Sequence, residues 1–455
     1  MRSVYEMDAS VRDEAQRLAI IQGVVGTIGA WMVGGWFLNY FAMELGAKGA
    51  AMGIILATGN IASILRVFAP AFVNRSDNRK GVWIKANIIS RLWSIGLPLL
   101  ALPQLRPPGI DPLALLVIIL CGTTLANAIG DVAWLSWYAD IVPESTWGRY
   151  FARRNFYLAI PIGIVPLVGG WAMDAYTVAH PDQKLSSYAV VYALGIGFNI
   201  LQMLPLLKVP NLPLRERPHQ APILSEIWKP FRDPNFRRYA LFHCWLMLGS
   251  GIPQASFQLY LKNYLGLGLV WPGAFQLVNQ VFSMWGFRLA GPLTDRFGNK
   301  PIIILGLIGA ATGPFFWLPT ERSNFYWIFA AYVVWGFGWA GVNLGRQNLM
   351  LRVAPLENNV AYIAAAEGLG GVCLALFQII GGFWLESLIK ADWTFHMAGV
   401  DWNPYHLFFL LSFVGRSSAA IWVFGILEPG CTTVKEMLTT LKGERTTRET
   451  EVKPT

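Results

Sequence analysis

The sequence contains 455 residues, of which 54% are hydrophobic and only 14% are charged, and its formal net charge is +9. Soluble domains carry about a quarter charged residues. This composition therefore excludes an ordinary soluble protein, and with it the nucleic-acid binding that a basic charge would otherwise indicate. Long apolar stretches such as 111-DPLALLVIILCGTTLANAIG recur along the chain. They do not alternate apolar and polar residues as barrel strands do, so an all-α polytopic membrane protein is predicted.

Twelve membrane-spanning helices are predicted, because one span needs about 20 mostly apolar residues. They lie at residues 17–44, 47–72, 82–104, 112–139, 152–176, 186–207, 238–264, 268–293, 300–320, 325–350, 360–389 and 404–428. With the N-terminus inside, each of the six outer loops holds one basic residue, and most other basic residues fall on the inner side. Basic residues are retained on the cytoplasmic side. Both termini are therefore predicted to be cytoplasmic, in an integral protein of the cell (inner or plasma) membrane.

A polar segment rich in proline and charge divides the predicted spans six and six. The predicted organisation is an N-terminal six-helix bundle (1–207), a cytoplasmic linker (208–237), a C-terminal six-helix bundle (238–430) and a cytoplasmic tail (431–455) of disorder-like composition. A constant offset in residue number aligns parts of the two halves without a gap, and we call this alignment the internal repeat. It places Tyr150 on Tyr362, Gly169 and Gly170 on Gly381 and Gly382, and Asp174 on Glu386. The internal repeat indicates parallel halves, with chance identity among glycine-rich helices as the alternative.

The loop between spans eight and nine reads 291-GPLTDRFGNKP. Its residues Gly291, Asp295, Arg296, Gly298 and Lys300 resemble the signature loop of the major facilitator superfamily. The corresponding loop of the first half, 74-NRSDNRK, keeps Arg75, Arg79 and Lys80 but has Asn74 where the family has an acid. The resemblance implies two pseudo-symmetric six-helix bundles, with spans one, four, seven and ten lining a central cavity.

The resemblance also implies a gating role for the signature loop. Asp295 would latch the start of span eleven in the outward-open state, since a carboxylate is attracted to a helix N-terminus. In the first half Asn74 cannot supply that charge, so a latch there would depend on Asp77. The alternative is that both loops only retain the topology through their basic residues.

Ionisable residues at membrane depth are functional candidates, because each costs about 2.5–3.5 kcal/mol to insert. Asp131 shares a face of span four with Asn127 and Trp134, and the internal repeat maps this face onto another on span ten. That second face carries Trp339, Asn343 and Arg346. Asp131 is predicted to face Arg346, an arrangement that suits an anion or zwitterion, with a proton on Asp131 as the switch. A structural ion pair closing the cytoplasmic gate is the alternative.

Further candidates lie on spans one, seven and eleven. Glu367 is the second candidate for carrying a proton. Polar stripes on span seven and span one could bind a polar solute or tie helices together. The stripe on span seven comprises His243, Ser250, Gln254 and Gln258, and span one offers Gln22, Trp36 and Asn39. Trp36, Trp335 and Trp339 are expected to line the cavity. Arg66 and Arg288 are expected to extend to the cytoplasmic interface. Arg91 and Arg416, on spans three and twelve, are not expected to contact a substrate.

The function predicted from these patterns is secondary active transport of a small organic solute by alternating access, with protons as candidate coupling ions. One alternative is an exporter or flippase of amphipathic or lipid-like compounds. Another is a transport-dead relative acting as a receptor or membrane assembly factor. No catalytic set, metal cluster or Walker loop is present in the sequence. No enzyme activity or cofactor is therefore expected, and the predicted partners are a small-molecule substrate and the lipid bilayer, with the protein a monomer.

Overall fold

The computed structural model describes residues 9–60, 78–142, 146–211, 228–354, 359–397 and 400–451. It is an all-α membrane protein in which helices cover part or all of each predicted span. Eight helices in the described part are long and apolar enough to cross a membrane. Helices suit this role because each satisfies its own backbone hydrogen bonds.

The helices up to residue 207 form what we call the first half. In chain order they are α1 (Ala9–Val33), α2 (Gly35–Glu44), α3 (Gly49–Asn60), α4 (Arg79–Ser94), α5 (Gly96–Ala101), α6 (Pro112–Ile141), α7 (Trp147–Ala179), α8 (Lys184–Leu201) and α9 (Met203–Leu207). Asp111 caps the start of α6 by accepting hydrogen bonds from the Leu113 and Ala114 amides, as acidic residues do at exposed helix starts.

The helices from residue 234 to residue 424 form the second half. They are α10 (Pro234–Gly251), α11 (Gln254–Leu259), α12 (Val270–Phe297), α13 (Asn299–Thr312), α14 (Trp327–Val353), α15 (Asn359–Lys390) and α16 (Pro404–Phe424). A π-helical turn (Tyr260–Tyr264) follows α11, and a 3₁₀ turn (Gly313–Trp317) follows α13.

The first span of each half is broken part-way. In the first half the break lies at Gly34 and Gly35, where Gly35 has a φ of +54° that favours glycine. In the second half it lies at Ile252 and Pro253, between α10 and α11. The helical segment after each break carries a polar side chain, Asn39 in one half and Gln258 in the other, into the region where the halves meet.

Two elements differ from the sequence expectations. A two-stranded antiparallel hairpin, β1 (Phe395–Met397) and β2 (Val400–Trp402), lies between α15 and α16. The disorder expected for the tail is wrong for residues 434–451, which form α17 (Val434–Glu451). Met437 on α17 is 1% exposed and packs with Phe297 and Ile302 of the second half. The apolar stripe on α17 is short, so overall composition conceals it.

Candidate functional site

A cavity of about 870 Å³ is lined mainly by helices of the first half, and α11 of the second half also contributes. Its most frequent polar groups are side-chain amides: Gln22, Asn39, Asn87, Asn127, Asn199, Gln202, Gln254 and Gln258. Amides both donate and accept hydrogen bonds, so this lining can bind a polar solute. The structure thus brings several sequence candidates together, namely Asn39, Asn127, Asp131, Trp134, Gln254 and Gln258.

Among the described residues, three charged side chains line this cavity: Asp131, Arg91 and Arg154. Asp131 is exposed and attracts both guanidinium groups. Arg91 donates to Asn87 Oδ1 (3.0 Å) and Ser90 Oγ (3.3 Å), whereas the Arg154 guanidinium lies 4.6 Å from the centre of the Trp134 ring. Arg91, which was not expected to contact a substrate, thus lines the candidate cavity, because its face of α4 turns toward α6. Sequence reasoning missed Arg154, because its position in the chain groups it with the cytoplasmic charges.

Amides at the wall of the cavity form a short chain. Gln22 Nε2 donates to Gln202 Oε1 (2.7 Å), and Gln202 Nε2 donates to Asn199 Oδ1 (3.1 Å). The Oε1 atom of Gln22 is buried and has no hydrogen-bond partner among the described residues. This arrangement leaves one buried carbonyl oxygen without a hydrogen-bond partner among the described residues.

A second polar cluster lies in the second half. Arg346 Nη1 forms an ion pair with Glu367 Oε1 (2.8 Å) and lies 3.3 Å from His243 Nε2. Arginine can only donate, so Nε2 accepts, and His243 is neutral with its proton on Nδ1. Arg346 thus pairs with Glu367 of its own half in this conformation, and not with Asp131 as predicted from the internal repeat. The repeat located both residues on helices facing the centre, but helix rotation decides their partners.

The two halves are joined at the end of the molecule opposite the chain termini. Asn39 Nδ2 donates to Gln258 Oε1 (3.1 Å), and Lys262 Nζ forms an ion pair with Glu44 Oε1 (2.7 Å). Hydrogen bonds between described residues of the two halves lie at this end or at mid-depth. These bonds hold the halves together on this side of the cavity, and none joins described residues of the two halves at the end that carries the termini.

Residues 19–400 match the sequence profile of the family described as Major Facilitator Superfamily. The chain belongs to the major facilitator superfamily. The two-half architecture of this superfamily agrees with the break in the first span of each half. As a member of the superfamily, the chain is a membrane transporter. None of the curated proteins compared with this chain matches it in sequence.

Solved structures of other transporters share this superfamily fold. A mutant of the nucleoside transporter NupG superposes with a TM-score of 0.66 at 11% identity, covering 92% of this chain and 100% of that chain. A D-xylose–proton symporter gives 0.65 at 15% identity, with 93% and 99% coverage. A POT family transporter in complex with 5-aminolevulinic acid gives 0.63 at 12% identity, with 91% and 95% coverage. Identities this low establish the shared fold alone.

The basic residues of the superfamily's signature loops hold helix ends together. Lys80 Nζ donates to the carbonyls of Leu207 (2.6 Å) and Val209 (2.8 Å) at the end of α9. Lys300 Nζ donates in the same way to Phe424 (3.2 Å) and Ile426 at the end of α16. Lysine at a helix C-terminus stabilises the free carbonyls there. The two lysines therefore bind particular helix ends, which goes beyond the alternative that the loops only retain the topology through their positive charges.

The other signature residues have different surroundings. Buried Arg79 donates to the Ser136 carbonyl (2.6 Å), while Arg296 lies over the Phe297 ring. Gly298 has a φ of +89°, which favours glycine, at the junction of α12 and α13. Asp295 is exposed, as is Arg288. Positions outside the described residues include Arg66, Asn74, Arg75, Asp77 and the segment 355–358 before α15, where the Asp295 latch would act.

One acidic residue at the signature loop was missed in the sequence. Glu428 follows α16, and its buried carboxylate accepts from the Asn299 amide (3.0 Å), Asn299 Nδ2 (2.7 Å) and the Lys300 amide (3.0 Å). It also pairs with Arg352 Nη1 at 3.2 Å. A carboxylate at a helix start is favoured by the free amides and the helix dipole. The only sequence signal was an acid directly after the last span.

Several aromatic candidates pack inside a half and do not line the cavity. Trp335 and Trp339 flank the Arg416 guanidinium at 5.4 and 5.3 Å, and Trp335 Nε1 and Arg416 Nη1 both donate to the Ala310 carbonyl. Trp36 is 7% exposed and packs edge-on against Tyr40. The expectation that these tryptophans line the cavity therefore fails in this conformation, because a buried arginine recruits two of them. Asn343 on α14 is half-buried and also lies outside the lining.

Proposed function

We propose that this protein is a secondary transporter that carries a small polar organic solute across the cell membrane by alternating access, with the cavity described above as its binding site. The observation that carries this proposal is a cavity of about 870 Å³, rich in amides, that is closed at one end by bonds between the halves. Binding pockets for small molecules commonly measure about 300–1,000 Å³.

The lining supports a polar cargo rather than a lipid. Charged and amide side chains at mid-membrane depth are costly unless they serve a solute or one another. Here Asp131, Arg91 and Arg154 line the same space as the amides. A flippase for lipid-like compounds would need an apolar route, so we place that function second. We place a transport-dead receptor last, because the second signature loop, 291-GPLTDRFGNKP, keeps its acid and its basic residues.

We further propose that the two halves move as rigid bundles, 1–207 and 238–430, linked through 208–237, with both termini cytoplasmic. The asymmetry of basic residues supports this orientation. In that orientation the cavity described here faces the cytoplasm. The proton candidates are Asp131, which is exposed in the cavity, and Glu367, whose side chain is 55% exposed beside Arg346.

Cysteine accessibility tests this proposal without knowledge of the substrate. In a variant whose four native cysteines are replaced by serine, Asn127→Cys should react with an impermeant thiol reagent in inside-out vesicles. A cysteine at exposed Asp182 of the predicted outer side should react only in right-side-out vesicles. Counterflow in proteoliposomes, with labelled nucleosides, sugars, amino acids and carboxylates as the panel, then tests transport. A cysteine at Asn127 that no reagent reaches from either side would refute the proposed binding site.

A further inference from the structure

Among its described lining residues, the cavity of the proposed transporter carries more positive than negative charge. Arg91 and Arg154 supply two positive charges and Asp131 one negative charge, a net +1 for the described lining residues. Arg91 follows the start of α4 at Arg79 by twelve residues, so it lies about 18 Å along that helix. A charge at that depth is costly without a counter-charge. Among the described residues of the second half, the candidate acid Glu367 is already paired with Arg346.

The unsatisfied groups at this site are mostly donors. The Nε atoms of Arg91 and Arg154 and the indole Nε1 of Trp134 are buried and have no hydrogen-bond partner among the described residues. The partners that Arg91 does have, Asn87 and Ser90, are neutral. Three buried N–H donors on residues that line one cavity leave this region short of acceptor oxygens. Guanidinium groups bind carboxylates and phosphates with paired hydrogen bonds.

We propose that the transported solute is an organic anion, whose carboxylate or phosphate group binds between Arg91 and Arg154 beside Trp134. This inference rests on the proposed transport function. The amide side chains that line the same cavity bind the hydroxyl or amine groups in the body of the solute. The Trp134 ring, with Arg154 over its face, provides a flat surface at the side of the site.

Asp131 gives this site a dependence on protons. When Asp131 is ionised it competes with the solute's anionic group for the two arginines. When it binds a proton, the net charge of the described lining rises from +1 to +2, which favours the anion. Binding of the proton and of the anion therefore strengthen each other, and by linkage each raises the affinity for the other by the same factor. The expected coupling is symport of a proton with the anion.

The sign of the cavity's charge can be measured directly with thiol reagents that differ in charge. In the variant without native cysteines, Asn127→Cys is treated with an anionic sulfonatoethyl and a cationic trimethylammonium-ethyl methanethiosulfonate. The ratio of the labelling rate with the anionic reagent to the labelling rate with the cationic reagent is measured at residue 127. It is compared with the same ratio for the variant Lys435→Cys, whose cysteine lies at an exposed position on α17. We expect the ratio at residue 127 to favour the anionic reagent by roughly tenfold or more, since charged clefts raise on-rates of opposite charges by 10–10³.

Variants assign this effect to its residues. Arg91→Gln and Arg154→Gln should each reduce the preference, and the double variant should abolish or reverse it. The matched control is Arg288→Gln, which removes an exposed arginine outside the cavity and should leave the ratio unchanged. Arg154→Lys should keep most of the preference, because it keeps the charge.

Competition separates the two sources of the anionic group. Sodium acetate and inorganic phosphate are each added during labelling, with sodium chloride at equal ionic strength as the control. Slowing by acetate alone indicates a carboxylate, and slowing by phosphate alone indicates a phosphate ester. Failure of both to slow labelling overturns the assignment of an anionic group to this site, as does a rate ratio equal to that at residue 435. In either case the proposed transport function would still hold if residue 127 reacts with the thiol reagents and the protein transports solute in the counterflow assay.

Discussion

Asp174 and Glu386, which the internal repeat maps onto each other, accept hydrogen bonds from the first backbone amides of a helix in the opposite half. Asp174 accepts from the amides of Leu269 (3.0 Å) and Val270 (2.8 Å) at the start of α12. Glu386 accepts from the amide of Ala50 (2.9 Å) at the start of α3. Carboxylates at helix starts are favoured by the helix dipole. The closed end of the transporter is thus held by two equivalent acid latches.

Removing the latches should shift the protein away from this conformation. Asp174→Asn with Glu386→Gln keeps the side-chain size but loses the charge, and each latch is worth about 0.3–1 kcal/mol. The double variant should therefore favour the opposite-facing state by roughly 3- to 30-fold. We would measure it as faster labelling of Asn39→Cys from the outer side. Asp182→Asn, which alters an exposed outer acid, is the control; equal rates in both variants would contradict the latch.

Glycines allow the helices at the latches to approach closely. A Cβ at Gly170 would lie 2.6 Å from the Leu269 carbonyl oxygen, and one at Gly382 would lie 2.4 Å from the Gly49 carbonyl oxygen. Gly170→Ala and Gly382→Ala should therefore prevent full closure and lower the transport rate severalfold. Counterflow in proteoliposomes measures this. Gly197→Ala is the matched control, because a Cβ there meets nothing within 4 Å. Wild-type rates in the first two variants would exclude the steric role.

Glu428 should be a large contributor to stability among the groups at the end of the molecule that carries the termini. Glu428→Gln removes the charge that binds two amides and Arg352 in a buried position. Hydrogen bonds to charged groups are worth about 1.5–3 kcal/mol, so a loss of about 2–3 kcal/mol is expected. Thermal unfolding of the purified protein measures it. The exposed residue Glu436 serves as control: its carboxylate accepts a hydrogen bond from the Thr433 amide at the start of α17, and Glu436→Gln should lower the melting temperature far less than Glu428→Gln. Equal losses of thermal stability in the two variants would show that the buried contacts of Glu428 add no more stability than an exposed carboxylate does.

Asp131 and Glu367 can be separated by their effects on accumulation and exchange. If Asp131 carries the coupled proton, Asp131→Asn should abolish uphill accumulation and leave exchange, because exchange needs no net proton movement. Glu367→Gln breaks the ion pair with Arg346 and should slow both activities. Flux with and without an imposed pH gradient measures the difference. If Asp131→Asn accumulates solute normally, Asp131 does not carry the coupled proton, and either Glu367 carries it or transport is not coupled to protons.

Much of the architecture could be read from the sequence. Among the described residues, helices cover part or all of each predicted span. The segment 291-GPLTDRFGNKP, together with the span count, indicated the superfamily that the profile match establishes. The internal repeat pairs Asp174 with Glu386 without any knowledge of their common role. These inferences succeed because exclusion from hydrocarbon and the pattern of basic loops are properties of local sequence.

Only the tertiary structure decided which polar groups meet. Arg91 and Arg154 join Asp131 in the cavity, whereas Arg346 pairs with Glu367 and buried Arg416 draws Trp335 and Trp339 away from it. A helix that is apolar on nearly all sides gives no signal of its rotation, because lipid and helix neighbours are equally apolar. The direction of each charged side chain is then set by packing against other helices, which no local pattern of residues contains.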